Sequence, residues 1–351
     1  QALNGPGNLC PGPVLQTSFT VNPLPPTNAV AGSVASVCAG TNMTYSITNN
    51  GGTGLVGVAG NTYTYTASGL PFVYTGGSAG YPNGTPLAAN VVANQSRQLN
   101  WTAAGTGTMT VLETTASGCT RTYSTTTTVN PLPTPSIVGS NTPCQFVPAT
   151  LGNPSYQSAP NPIQYSYTLN TVTVGNSYRW AVTGGGGTIV AANAATTTAL
   201  PATSTTTPGN VNLGVSLITV QWSAPGAGTV TVDERTALGC NASSTLNVTV
   251  IATPPTGAFV LTGALATCAS PAAPVAYTAT GAGSHSFTIS GGTPQAPFVG
   301  GYALGGPGVT GVGPGGFSVQ WGAAGTGTIS HEYTEGGCAA VKTYTITINP
   351  N

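Results

Sequence analysis

Three stretches decide the reading: QLNWTAAGTGTMTVLETTASGC (98–119), TVQWSAPGAGTVTVDERTALGC (219–240) and SVQWGAAGTGTISHEYTEGGC (318–338). Each sets a tryptophan (Trp101, Trp222, Trp321), then Gly-x-Gly, then an alternating run, then Gly-Cys. The Trp-to-Cys separations are 18, 18 and 17 residues. Self-similarity of this kind marks a repeat architecture. Apolar/polar alternation is the period of a half-buried strand, and the glycine-rich breaks read as hairpin turns. Each block runs on into a further alternating strand, TYSTTTTV, TLNVTV or TYTITI.

Working outward, proline-rich joints follow the first two blocks, NPLPTP (130–135) and IATPPT (251–256). Proline donates no ladder hydrogen bond and ends strands. The joints divide the chain into an arm, 1–26, and segments 27–132, 133–253 and 254–351. Each segment has the many short strands and closely spaced turns of a β-sandwich, and none shows sustained helical periodicity. A second aromatic recurs mid-repeat: Tyr65 in TYTYTASG, Trp180 in SYRWAVTGG and Phe287 in SHSFTISGG. These three and the repeat tryptophans Trp101, Trp222 and Trp321 are read as core aromatics rather than ligand platforms.

Only 3% of the 351 residues are charged, net charge is zero, and 40% are hydrophobic. Fifty glycines and 29 prolines raise the question of disorder, but disordered chains combine low hydrophobicity with high net charge, and this chain has neither. Five basic residues in 351 form no patch for phosphates, which excludes nucleic acid as a partner. A near-neutral surface lacks self-repulsion and favours association. No run of 18 or more apolar residues is present to span a bilayer, and the residues after Gln1 do not read as a signal segment, so a mature secreted form is expected.

The order of these features, with an early cysteine, the mid-repeat aromatic before Gly, [VL]-x-Trp, Gly-x-Gly and Gly-Cys, resembles the PKD-like/Ig-like repeats of secreted surface proteins of Bacteroidota-type bacteria. The resemblance covers nearly all of the chain after residue 26. It implies an all-β chain of three tandem immunoglobulin-like (PKD-like) sandwich domains at the cell surface, in the manner of stalks, adhesins and filament components. Activity does not follow from such a fold.

Six of the seven cysteines fall two to a repeat, and the simplest connectivity is intradomain: Cys38–Cys119, Cys144–Cys240 and Cys268–Cys338. Regular pairing implies an oxidising compartment. No Cys-x-x-Cys spacing is present and both histidines, His285 and His331, fall in one repeat, so no metal or cofactor is expected. The seventh cysteine, Cys10, opens CPGPVLQTSFTVNPLPP (10–26), which repeats the closing element of a domain, CTRTYSTTTTVNPLPTP (119–135). The arm is therefore expected to form a strand in which Leu15, Thr17, Phe19 and Val21 alternate, and to find its partner outside its own sandwich. β-Strand addition to a second copy, with Cys10 able to lock the joint, makes a head-to-tail homopolymer. The alternatives are that 1–26 is the remnant of a longer repeat array, packed on the first repeat as an extra edge strand, and that the chain is an adhesin or a stalk fragment of a longer repeat protein, presenting loops to a cell-surface or glycan ligand.

Catalytic chemistry is not expected. Glu113, Glu234 and Glu332 each lie six residues before the repeat cysteine and read as one structural position used three times. Equivalent positions in separate domains do not converge on one substrate. The facing of His331 depends on whether it is counted from the Trp or from the Cys. The Gly-x-Gly turns are flanked by strands and lack the helix N-terminus of a phosphate cradle. The insertion 152–175 in the middle repeat is the expected place for lateral contacts.

Overall fold

Glycine placed against indole organises each repeat in the computed structural model, which describes residues 16–49, 60–77, 83–84, 86–88, 96–147, 156–158, 164–192, 215–255, 257–270, 273–305 and 308–351. The first glycine of each Gly-x-Gly has positive φ (Gly105 138°, Gly226 120°, Gly325 147°). The second lies on the tryptophan ring: a Cβ on Gly107 would stand 2.6 Å from Trp101, and one on Gly228 would stand 2.7 Å from Trp222. Gly327 faces Trp321 in the same way. The motif is thus a turn followed by a close approach, and only glycine serves both positions. Gly107→Ala is expected to cost about 1–3 kcal/mol by overpacking. Urea denaturation checks this, and Thr108→Ala, one residue along the same strand, serves as the control.

In the first repeat, β1 (Asn28–Gly32), β2 (Ser36–Cys38), β3 (Asn42–Asn49), β4 (Thr62–Ser68), β5 (Phe72–Gly77), β6 (Pro86–Ala88), β7 (Ser96–Trp101), β8 (Gly105–Thr114) and β9 (Thr120–Asn130) form two sheets. Their orders are β1-β3-β7-β5 and β2-β9-β8-β4-β6. The second repeat has β10 (Ile137–Val138), β11 (Tyr156–Ser158), β12 (Tyr165–Leu169), β13 (Ser177–Gly184), β14 (Gly187–Ala192), β15 (Leu217–Trp222), β16 (Gly226–Arg235) and β17 (Asn241–Val250). They give sheets β10-β12-β15-β14 and β13-β16-β17, while β11 leaves for the sheet of the following repeat. The third has β18 (Val260–Gly263), β19 (Ala266–Cys268), β20 (Val275–Thr280), β21 (Ser284–Ser290), β22 (Gly292–Val299), β23 (Ala303–Gly305), β24 (Gly308–Val312), β25 (Gly315–Trp321), β26 (Gly325–Glu335) and β27 (Cys338–Asn349). Its sheets are β18-β20-β25-β22 and β11-β27-β26-β21-β24-β23, with β19 also on β27. The fold class is all-β, and the described residues contain no helix.

Between each pair of sheets lies one core, and Tyr65, Trp101, Trp180, Trp222, Phe287 and Trp321 are all buried in these cores. The sequence reading missed the tyrosine that serves each repeat tryptophan. The indole N–H of Trp101 donates to the Tyr45 hydroxyl at 2.8 Å, Trp222 to Tyr167 at 3.2 Å and Trp321 to Tyr277 at 3.1 Å. Each pair meets edge to face. Burial of the ring is thereby combined with a partner for its one polar atom. The signal was present as a tyrosine in an alternating run 44–56 residues ahead of each tryptophan.

The chain divides into two compact units, Gln1–Leu132 and Pro133–Asn351. The proline joint at 251–256 therefore does not separate compact bodies as the joint at 130–135 does. The arm adds to no sheet of its own chain among the described residues. Cys10 and Leu15 lie outside the described residues, and residues 16–27 carry no strand. Thr17 is exposed, and Phe19 and Val21 are 85% and 89% exposed. Pro23, Pro25 and Pro26 supply no donors. The arm is held instead by its carbonyls: Arg121 Nη1 donates to Pro25 O at 2.8 Å, and the Tyr123 hydroxyl donates to Pro26 O at 2.6 Å.

Candidate functional site: the joint between consecutive repeats

Each repeat has a leading end, where the chain comes in, and a trailing end, where it leaves. The two cysteines of a repeat lie at opposite ends. Cys38 pairs in parallel register with Asn130, the last residue of β9, whereas Cys119 precedes the first, Thr120. Cys268 is level with Asn349 while Cys338 opens β27. Cys144 bridges Ile251 while Cys240 precedes Asn241. A strand of ten to twelve residues separates them by about 33–40 Å at ~3.3 Å per residue. A disulfide requires Cα atoms within about 7 Å.

The expected pairs Cys38–Cys119, Cys144–Cys240 and Cys268–Cys338 are therefore corrected. Cys144 is bonded to Cys338, with Cα atoms 5.6 Å apart. Cys38 and Cys240 each take part in a disulfide, while Cys119 and Cys268 are free thiols.

The Cys144–Cys338 bond staples the trailing end of the second repeat to the leading end of the third. Three further contacts surround it. β11 pairs antiparallel with β27, Tyr156 opposite Lys342 and Ser158 opposite Ala340. Val147 packs on a small cluster of Phe259, Tyr333 and Ala340. Thr253 donates its hydroxyl proton to the Gln145 carbonyl. β11 comes from the 152–175 insertion, so that segment supplies strand addition between neighbouring repeats. The corresponding edge of the first repeat, level with Arg121–Tyr123 on β9, has no added strand among the described residues.

Behind the leading ends lie buried polar groups. Glu113 is fully buried and accepts from Asn61 Nδ2 at 2.7 Å, the Tyr63 hydroxyl at 2.8 Å and Asn28 Nδ2 at 3.3 Å. The Tyr123 hydroxyl lies 2.9 Å away, and burial together with this carboxylate pushes its phenol up to about 12. Glu234 repeats the arrangement with Asn176 at 2.6 Å and Tyr178 at 3.0 Å. The recurring Asn-x-Tyr, 61–63 and 176–178, was the overlooked sequence signal. Glu113→Ala leaves buried donors unanswered and is expected to cost about 3–5 kcal/mol. Glu113→Gln, which keeps one acceptor, should cost less, and guanidinium denaturation of the two variants checks the order.

Glu332 does not occupy this position. In the third repeat the β26–β27 turn is the two-residue Gly336-Gly337, with φ of 61° and 83°, where its counterparts run 115–119 and 236–240. Pairing of Thr334 with Ala339, against Thr114 with Thr120, leaves the link one residue shorter. Counting back from the cysteine therefore slips by one. Register places Tyr333 opposite His285, where Glu113 faces Tyr63 and Glu234 faces Tyr178. Phe259 stacks on Tyr333 at 4.9 Å. The polar hub of the first two repeats has become an aromatic one, which lies in the joint.

His331 points inward opposite Phe287, at the position of Val111 and Val232, and is fully buried. Its Nε2 lies 2.8 Å from His285 Nδ1, and its own Nδ1 is buried without a partner. Burial first, then the charge of His285 and of Lys342, lowers its pKa to about 3. Burial also lowers that of His285, against its bond to the Gly281 carbonyl.

A groove of about 580 Å³ on the third repeat is lined by hydroxyls of Ser284, Ser286, Thr310 and Thr334, with Glu332 as its one carboxylate. Among the described residues no group of three or more His, Cys, Asp or Glu side chains is placed to hold a metal ion. No helix of the structure is long and apolar enough to cross a membrane.

No protein-family model matches the chain, and no curated protein matches it. Solved structures that superpose on it include FdeC, an Escherichia coli adhesin, at 14% identity over 95% of this chain and 100% of that one, with a TM-score of 0.29. The three N-terminal domains of the outer capsid protein Hoc of bacteriophage RB49 give 10%, 93% and 99%, with a TM-score of 0.32. A Ca²⁺-stabilised adhesin with which an Antarctic bacterium binds ice gives 12%, 92% and 74%, with a TM-score of 0.30. The superpositions are loose, and the all-β assignment rests on the sheet orders and registers above.

Proposed function

We propose that this is an extracellular, non-enzymatic structural protein whose repeats join end to end, as a filament subunit or as the stalk of a cell-surface adhesin. The observation that supports this reading is the Cys144–Cys338 joint: a covalent bond, an added strand and a buried aromatic contact all at one boundary between repeats. A disulfide of this kind persists outside reducing compartments. Scarcity of charge suits a chain that works in an assembly. Strand addition by the arm does not carry the reading, since Phe19 and Val21 face solvent and their segment forms no ladder.

The test is peptide mapping of protein extracted from its native source under alkylating, non-reducing conditions, with antibody labelling of intact cells. Surface labelling and a Cys144–Cys338 linked peptide are the expected results. Reduced Cys144 and Cys338, or labelling only after lysis, would overturn the reading.

A further inference from the structure

The two free thiols occupy the two positions at which the joint between the second and third repeats would be continued. Cys144, at a trailing end, bonds Cys338, the first residue of β27 at the leading end of the repeat that follows. By the same rule Cys268 needs the leading-end cysteine of a repeat after the third, and Cys119 needs the trailing-end cysteine of a repeat before the first. Cys119 and Cys268 are the two repeat cysteines left as thiols.

Local geometry supports the equivalence at both ends. The residue after each trailing-end cysteine donates its N–H to the end of the last strand: Gln145 to Ile251 at 2.8 Å, Ala39 to Asn130 at 2.9 Å and Ala269 to Asn349 at 2.7 Å. The turn holding Cys119 matches that holding the disulfide-bonded Cys240. Thr115 N–H donates to Cys119 O at 2.9 Å and Thr236 N–H to Cys240 O at 2.8 Å, and each cysteine N–H donates to the threonine hydroxyl at 3.0 Å. Cys268 is exposed and Cys119 half-buried, with the Asn22 carbonyl 3.8 Å from its sulfur. The β9 edge beside Cys119, equivalent to the edge that β11 fills on β27, is free of an added strand among the described residues.

We infer that Cys268 of one copy and Cys119 of a second copy are a matched pair, which continues the stapled joint from chain to chain as a covalent head-to-tail polymer. This rests on the structural reading above and names its partner. The contact is heterologous, so it propagates.

Closure needs an oxidant, and a small-molecule disulfide such as oxidised glutathione supplies it. The Cys268 thiolate attacks one sulfur and releases one glutathione thiolate. The Cys119 thiolate of the second copy then attacks the Cys268 sulfur of the mixed disulfide and releases the other. Two cysteine thiols are oxidised, one disulfide is reduced to two thiols, and the two protons pass to the leaving thiolates.

The full chain is incubated at high concentration in a glutathione redox buffer, alkylated and run on non-reducing gels. Wild type is expected to give a ladder of covalent oligomers, with a linked Cys119–Cys268 peptide by mass spectrometry. Cys119→Ser and Cys268→Ser each lose the ladder, yet a mixture of the two variants gives a dimer band, because each supplies the thiol the other lacks. Cys10→Ser keeps the ladder. A ladder that survives either single variant, or that vanishes in Cys10→Ser, overturns the inference, as does wild type that stays monomeric. Cys144–Cys338 mapping in the same digest separates the two levels: an intact staple without a ladder removes only this inference, whereas a reduced staple removes the structural reading as well.

Discussion

Replacing Cys144 and Cys338 together by serine is expected to lower the stability of residues 133–351 by about 2–5 kcal/mol. The bond closes a loop with a sequence separation of 194 residues. In the chain-entropy model a loop of that length withholds about 5 kcal/mol of freedom from the unfolded chain, and measured disulfides centre on about 2–4 kcal/mol. What remains at the boundary is a three-residue ladder between β11 and β27 and the small cluster around Phe259. Neither matches the two large cores on either side. Unfolding of the double variant is therefore expected to split, with the second and third repeats melting separately, while the wild type loses them together. Calorimetry and tryptophan fluorescence, with Trp222 and Trp321 reporting on different repeats, check this. Cys119→Ser, which removes a free thiol, serves as the control and should leave the transition unmoved. An unchanged midpoint in the double variant would show that packing alone holds the boundary.

The repeat was legible because its parts are local. Trp101, the Gly105-Thr106-Gly107 turn and the run to Glu113 lie within 13 residues, so spacing and alternation report on them directly. The cysteines were legible as positions but not as partners. Separation along the chain does not say at which end of a sandwich a residue lies, and that is what decides a disulfide. The direction of one strand would have shown it: Cys119 precedes β9, and Cys38 lies beside its far end. Counting failed similarly at Glu332, where the shorter Gly336-Gly337 turn shifts everything measured from Cys338, while the count from Trp321 places His331 inward beside Val111 and Val232. The alternation in LQTSFTV is visible in the arm, but alternation shows which side chains share a face and not which edge receives them. The joint itself was out of reach, because Val147, Phe259 and Tyr333 come from two repeats and meet only in three dimensions.

Acidification should destabilise the third repeat steeply, through a residue that the other two repeats lack. His331 titrates near 6.5 in the unfolded chain and at about 3 in the fold, with His285 also lowered. Between those values the unfolded state binds a proton that the folded state refuses, so stability is full above about pH 6.5 and falls as pH drops towards 3. The slope from His331 alone is about 1.4 kcal/mol per pH unit, and over the whole window the loss approaches about 5 kcal/mol. No carboxylate among the described residues relieves it: His331 is opposite Lys342 on β27 and Phe287 on β21, with Phe259 edge-on at 5.0 Å. His331→Val installs the residue found at the same register position in the first two repeats. It removes an orphaned buried Nδ1 and strands His285 Nδ1, so at pH 7.5 the two effects offset to within about 1.5 kcal/mol. At pH 4.5 the variant should be the more stable protein, with a difference that grows by more than 1 kcal/mol for each pH unit below about 6. Denaturation midpoints of both proteins from pH 7.5 to 4 measure that difference directly, and carboxylates common to both cancel. Parallel curves for wild type and variant would mean that His331 accepts its proton in the folded state and that the buried histidine pair is not the acid-sensitive element.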